Sequence, residues 1–398
     1  MDGFSPFSKQ ELQTQAERLE MRHGKQSLQI GIPKENSFEE KRVCLSPDSV
    51  HTLCNQGHEI IIETGAGLYA GFDDKSYSEA GASIAYDQKR VFSCQILLKV
   101  EPPTLEEIEM LKPNAVVFSA LQIKTRSKAY FDALNKKKIT GIAYDNIKDE
   151  QNDYPIVSSL SEIAGAACLQ IAGELLANYD RNTGHLLGNI SGVPPTEVVI
   201  IGAGKVGQYA ARTALGLGAH VKVFDNSITR LQHLENQLGQ RIFTATCQPK
   251  LLLKSLQRCH VAIGALKGKH RCPIVVTETM VENMKENAVI IDVGIDRGGN
   301  FETSEITTHS KPTFKKHGVI HYGVPNIPSK YAKTSSLVLS NILSPYLSKI
   351  GDFGGVENAL RRDKGFQNGV YFYRGILTSK SVAEWFDLPY RDLNLLML

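Results

Sequence analysis

The chain predicts an α/β protein of two domains, each on a parallel sheet, with the first domain discontinuous and a cleft between the two. Three observations carry that prediction. At 398 residues the chain is long for one core, and 42% hydrophobic content is enough to fill two. From residue 28 onward, short apolar runs alternate with helix-like segments, the pattern of crossover-connected parallel strands. That alternation comes as two separate series with an apolar helical stretch between them.

In the first series LQIGI, EIIIE, CQILLKV, AVVFSAL and ITGIAY read as strands. The intervening SPDSVHTLCNQGH reads as a helix with Ser46 as N-cap and Pro47 at the first helical position, and RSKAYFDALNKKK as another. SSLSEIAGAACLQIAGELLANY follows as a junction helix, opened by Ser159 and Glu162 at capping-box spacing. The second series is TEVVIIGAG, HVKVFD, HVAIGAL, AVIIDVGI and GVIHYGV. After it, SSLVLSNILSPYLSKIG reads as a long apolar helix that Pro345 bends or ends. The chain is expected to return there to the first domain. The expected division is a helical extension at residues 1–27, with Ser8 and Glu11 as a possible capping box, a first domain at 28–157 and 333–398, and a second at 158–332.

Composition narrows the function. Basic and acidic residues nearly balance, 45 against 42, and no run of like charge tracks a phosphate backbone, so nucleic acid is not an expected partner. Seven scattered cysteines without a C-x-x-C pair signal neither a disulfide framework nor a zinc site, and no histidine shows ligand spacing, His317 and His321 included. No metal is expected. The polar, mixed-charge N-terminus lacks a secretory core, and no apolar run is read as reaching membrane-spanning length. A soluble cytoplasmic protein is the expectation.

The most specific local pattern is VVIIGAGKVGQYAARTALGLGAHVKVFD. Gly202, Gly204 and Gly207 form G-x-G-x-x-G after a strand and at a helix start, and Asp225 closes the next strand. Gly202 permits the tight turn, Gly204 lets a pyrophosphate approach the backbone, and Gly207 lets helix and strand pack closely. The helix N-terminus offers unpaired N–H groups to phosphates. Asp225 would accept hydrogen bonds from ribose hydroxyls and repel a 2′-phosphate; Arg230 lies one turn further on, so NAD is expected rather than NADP.

Other polar residues fall at strand ends, where open parallel sheets bind ligands. Lys99 in ILLKVEPP is either a lysine snorkelling from a buried strand or a functional cation. Arg42 in PKENSFEEKRVCLSP is either paired with Glu39 or Glu40 or, together with Lys99, a clamp for a substrate carboxylate. Asp296 in AVIIDVGIDRGGN, four residues after Asp292, is either a turn residue satisfied by the glycine pair or a carboxylate facing a nicotinamide. Gln122 ends the strand AVVFSAL.

Seven segments in order, IGIPKENSFEEKRVCLSP, ETGAGLYAGF, ILLKVEPP, SLSEIAG, VVIIGAGKVGQ, VIIDVGIDRGG and HYGVPNIP, closely resemble alanine dehydrogenase and the related NAD-binding α subunit of proton-translocating transhydrogenase. The resemblance runs from about residue 28 to near the C-terminus and implies two Rossmann-like domains. It implies hydride transfer between an amino acid and NAD in a homo-oligomer, a dimer or hexamer. It further implies that Arg42 and Lys99 bind the substrate carboxylate and that Asp296 assists proton transfer. Ser161, Leu266, Ile295 and Asn326 would lie by the nicotinamide end. Gly202, Gly204, Lys205, Val206, Gly207, Asp225 and Arg230 would hold the pyrophosphate and adenosine end. One position departs. Gln122 stands where that family carries a histidine, and an amide cannot titrate. Three readings follow: a dehydrogenase for alanine or a close relative, a non-catalytic or transhydrogenase-like NAD(H)-binding module, and a dehydrogenase for another amino acid, such as a saccharopine dehydrogenase.

Overall fold

The computed structural model describes residues 24–177, 184–268 and 271–397. The possible capping box at Ser8 and Glu11, and nearly all of the expected N-terminal extension, lie outside the described residues.

Two sheets form. The strands of the first are β1 (Gln29–Ile32), β2 (Glu59–Glu63), β3 (Ser83–Ala85), β4 (Ile96–Leu98), β5 (Val116–Ser119) and β6 (Thr140–Ala143), all parallel. The second sheet holds β7 (Glu197–Ile201), β8 (His220–Phe224), β9 (Phe243–Ala245), β10 (Val261–Gly264), β11 (Val289–Asp292), β12 (Thr313–Lys316) and β13 (Val319–Tyr322). The chain then returns to the first sheet as β14 (Val370–Tyr373) and β15 (Ile376–Leu377), giving the order β15-β14-β6-β5-β4-β1-β2-β3. The second sheet runs β12-β13-β11-β10-β7-β8-β9. The expected all-parallel sheets need one correction: β14 and β15 are antiparallel at the edge of the first, and β12 is antiparallel to β13 at the edge of the second. Short connections, such as His317–Gly318 between β12 and β13, permit only hairpins there.

Each sheet has a switch point, between β4 and β1 in the first and between β10 and β7 in the second. Connections depart in opposite directions from such a point, which leaves a crevice at the carboxyl ends of the strands.

The helix Pro155–Leu176 ties the lobes together. Ile156 belongs to the core of the first lobe, whereas Ala167 to Leu176 pack into the core of the second. Gly165 lets it lie against the helix Lys205–Gly216, because a Cβ there would stand 2.4 Å from the Val206 carbonyl. The expected start at Ser159 is one turn late: Pro155 occupies the first turn, where its missing N–H costs nothing, and Ser159 and Glu162 fall inside the helix. This helix is also long and apolar enough to cross a bilayer, a length the strand-and-helix reading of the sequence overlooked; its apolar residues are instead shared between two cores. Ser46 caps the helix Pro47–Asn55, its side chain accepting from the Ser49 amide. Pro345 lies within the helix Ala332–Asp352, which continues past it.

Candidate active site

A cavity of about 310 Å³ opens between the lobes, lined from strand ends of both sheets. Arg42 follows β1, Ala120 follows β5 and Asp145 follows β6; Leu266 and Lys267 follow β10, and Asp296 and Arg297 follow β11. Ser161, Val206 and Asn326 complete the part of the lining predicted from sequence.

Arg42 is held by Glu40, and both Glu40 and the flanking backbone are fixed in turn. Its Nε and Nη2 donate to Glu40 at 2.7 and 2.6 Å, the two-bond fork that suits guanidinium and carboxylate. Asn326 Nδ2, from the second lobe, donates to Glu40 Oε2 at 2.8 Å. The backbone around Arg42 is pinned by buried serines of the C-terminal part: Ser329, Ser336 and Ser340 accept from the amides of Lys41, Val43 and Ser46 at 2.9, 2.9 and 2.8 Å. Glu40 engages Nε and Nη2, and the guanidinium borders the cavity.

Lys99 is not the snorkelling edge lysine considered above. It is buried, with Nζ 2.9 Å from Glu35 and 3.5 Å from Glu107, and it does not line the cavity. Burial pushes the Glu35 carboxyl up to about 7 against the pull of Lys99. Burial opposes the Lys99 charge, but Glu35 and Glu107 outweigh it and raise the ammonium pKa. One cation shared by two buried acids keeps its charge, and one acid readily takes a proton.

Gln122 follows β5 and opens the 3-10 turn Ile123–Thr125 in left-handed backbone, φ 44° and ψ 52°; it is exposed and does not line the cavity. Ile295 is buried beneath the lining rather than in it.

Asp292 and Asp296 divide the roles that the sequence left open. Asp292 Oδ2 accepts from the Asn300 and Phe301 amides at 2.7 and 3.2 Å and from Ser304 at 2.8 Å, so Asp292 ties down the glycine-pair loop. Asp296 sits in the 3-10 turn Ile295–Arg297, about half exposed, 3.8 Å from Arg297 and facing the cavity.

The glycine loop fits a dinucleotide. Gly202 takes φ +119°, and a Cβ at Gly207 would meet the Gly202 carbonyl at 1.8 Å, so both positions require glycine for the fold itself. Gly204 has nothing within 4 Å of where a Cβ would stand, and no side chain caps the helix it begins. That is an open cradle beside unpaired helix N–H groups, suited to a pyrophosphate. Lys205 is exposed at the helix start. Asp225, buried, accepts from the Ala203 and Ser227 amides at 2.8 Å each; Arg230 is 3.9 Å away and exposed.

Sequence reading missed Glu35, Glu107, Asp145, Lys267 and Arg297. Nothing local distinguishes them from surface charges; only the meeting of separate strand ends gives them a common address. Among the described residues no cluster of histidine, cysteine and acidic side chains could hold a metal.

The fold and cavity define a two-lobed α/β protein with a glycine loop of dinucleotide-binding type in its second lobe. Family models described as "Alanine dehydrogenase/PNT, N-terminal domain" and "Alanine dehydrogenase/PNT, C-terminal domain" match residues 31–164 and 168–380. The chain belongs to the alanine dehydrogenase/PNT family. It is 40% identical over 367 residues to an alanine dehydrogenase of Staphylococcus saprophyticus subsp. saprophyticus, covering 92% of this chain and 98% of that one. A solved L-alanine dehydrogenase superposes with a TM-score of 0.84 at 35% identity, over 90% of this chain and 99% of that one. The transhydrogenase from Sinorhizobium meliloti shares the fold, with a TM-score of 0.75 at 24% identity and coverage of 89% and 99%.

Proposed function

We propose that this protein is an NAD-dependent amino-acid dehydrogenase that interconverts L-alanine, or a close relative, with its 2-oxo acid: L-alanine + NAD⁺ + water gives pyruvate + ammonium + NADH + H⁺. The observation that carries the reading is the convergence of Arg42, Ser161, Leu266, Asp296 and Asn326 on one cavity between the strand ends of both lobes. NAD, when bound, supplies hydride acceptance at the nicotinamide ring. Arg42 receives the substrate carboxylate while Glu40 fixes its Nε and Nη2. Lys99, behind that layer, adds positive charge in a cluster otherwise rich in acids, and acts on the substrate by charge. Asp296 exchanges the proton that accompanies formation of the imine and its hydrolysis. Gln122, exposed and outside the cavity lining, brings no titrating group to the reaction. Asp225 supports NAD over NADP, since a second negative charge beside it would be repelled.

First and second lobes are the substrate and dinucleotide domains, with residues 333–398 completing the first. A cytoplasmic homo-oligomer is part of the same reading; exposed Tyr86, Leu186 and Val193 would suit subunit contact.

The test follows NADH oxidation with ammonium and a panel of small 2-oxo acids, pyruvate first. Turnover with at least one is expected, and Asp296→Asn should lower it by about 10²- to 10⁴-fold. Tight NADH binding with no turnover on any member would leave a nucleotide-binding module.

A further inference from the structure

We propose that Asp145 is a second proton-exchanging carboxyl of this site, working from the first lobe opposite Asp296 on the hydroxyl of the amino alcohol that links 2-oxo acid and imine. This rests on the dehydrogenase reading.

Three observations converge on it. Asp145 follows β6 and lines the same cavity as Arg42, Asp296 and Asn326. Its Oδ1 is buried and, among the described residues, without a hydrogen-bond partner. Such an atom in a native fold calls for an explanation, and a ligand that supplies the missing partner is one. The Leu121 backbone amide lies close enough to lower the carboxyl's pKa, which puts Asp145 by the turn that carries Gln122. It therefore stands beside the position whose side chain cannot exchange a proton.

Burial raises the Asp145 carboxyl to about 6; its own amide, that of Leu121 and the charge of Arg297 oppose the rise. The charged or titratable groups that face it are Arg297 from the second lobe, Tyr144 beside it and Tyr371 on β14. Burial raises both tyrosines well above their ordinary value, so they stay neutral near pH 7. A carboxyl near 6 is suited to both giving and taking a proton near neutrality.

Ammonia adds to the carbonyl of the 2-oxo acid to give an amino alcohol. Asp145, protonated, gives its proton to the hydroxyl; the C–O bond breaks, water leaves, and the nitrogen lone pair closes the C=N bond. An iminium and the Asp145 carboxylate remain, and the iminium takes the hydride that NADH supplies. In the reverse direction water attacks the iminium carbon, and Asp145 takes the proton that water loses.

The experiment measures proton uptake when the protein binds NADH and oxamate, an unreactive 2-oxo acid analogue, by calorimetry at pH 7 in buffers of different ionisation enthalpy. Wild type should take up a substantial fraction of one proton and Asp145→Asn close to none, with NADH affinity alone unchanged within about twofold. In turnover, Asp145→Asn should lower kcat by about 10²- to 10⁴-fold and remove a pH step near 6, and Asp145→Glu should restore part of both. Equal uptake by wild type and Asp145→Asn, or an unchanged kcat and pH profile in that variant, overturns the assignment. Failure of the dehydrogenase reading looks different, since wild type would then turn over no 2-oxo acid at all.

Discussion

At the scale of single residues, burial decides which charges must be paired. Lys99 is enclosed with Glu35 and Glu107, so Lys99→Met leaves two acids without their cation. The expected cost is about 3–5 kcal/mol, measured by denaturant unfolding at pH 8. It should shrink at pH 5, where Glu35 takes a proton; an equal loss at both values would put the effect elsewhere. His321 works in the opposite sense. Burial lowers its imidazole to about 4, and it stays neutral between Thr303 Oγ1 at 2.8 Å and the Val319 carbonyl at 3.1 Å. The unfolded chain binds the proton more tightly, so this stability is complete above pH 6.5 and lost as pH falls toward 4. From pH 7 to 5 the loss should be about 2 kcal/mol, absent in His321→Gln. A pH slope unchanged in that variant would refute the assignment. The sequence alone left Lys99 and Asp296 each with two readings, because burial and partners are not local properties.

Among the elements, the glycine loop separates fold from ligand. Gly207→Ala should destabilise the protein and abolish nucleotide binding together, since the added methyl collides with the Gly202 carbonyl. Gly204→Ala meets open space, so its melting temperature should stay within about a degree or two while NADH affinity falls at least tenfold. That fall would come from a methyl in the cradle that the pyrophosphate enters. If Gly204→Ala binds NADH normally, the cradle is not where phosphates sit. The serines facing the Arg42 segment make a second element-scale device. Ser336→Ala strands the buried Val43 amide, at a cost of about 1–3 kcal/mol by thermal unfolding, and should raise KM for the oxo acid more than it changes kcat. The loop was legible in sequence because spacing and strand context state its geometry. The serine contacts were not, because they join positions nearly three hundred residues apart.

Across the whole molecule, the first lobe depends on its last residues. β14 pairs with β6 and β15 with β14, and Tyr371, Phe372 and Val382 fill one of the first lobe's cores. A chain ending at residue 369 should bare the edge of β6 and those apolar contacts, and so should aggregate or lose its cooperative melt; a soluble, cooperatively folded product would show that the lobe closes without them. By itself the sequence determined the two strand-and-helix series, the glycine loop and the return of the chain, because periodicity, caps and glycine spacing act between near neighbours. Only the tertiary structure decided that Arg42 is gripped by Glu40, which the second lobe's Asn326 holds in turn, that Lys99 is buried outside the cavity lining, and that Asp145 and Asp296 line one cavity. Those relations exist only once two switch points meet, and the burial they create sets the charge each group carries.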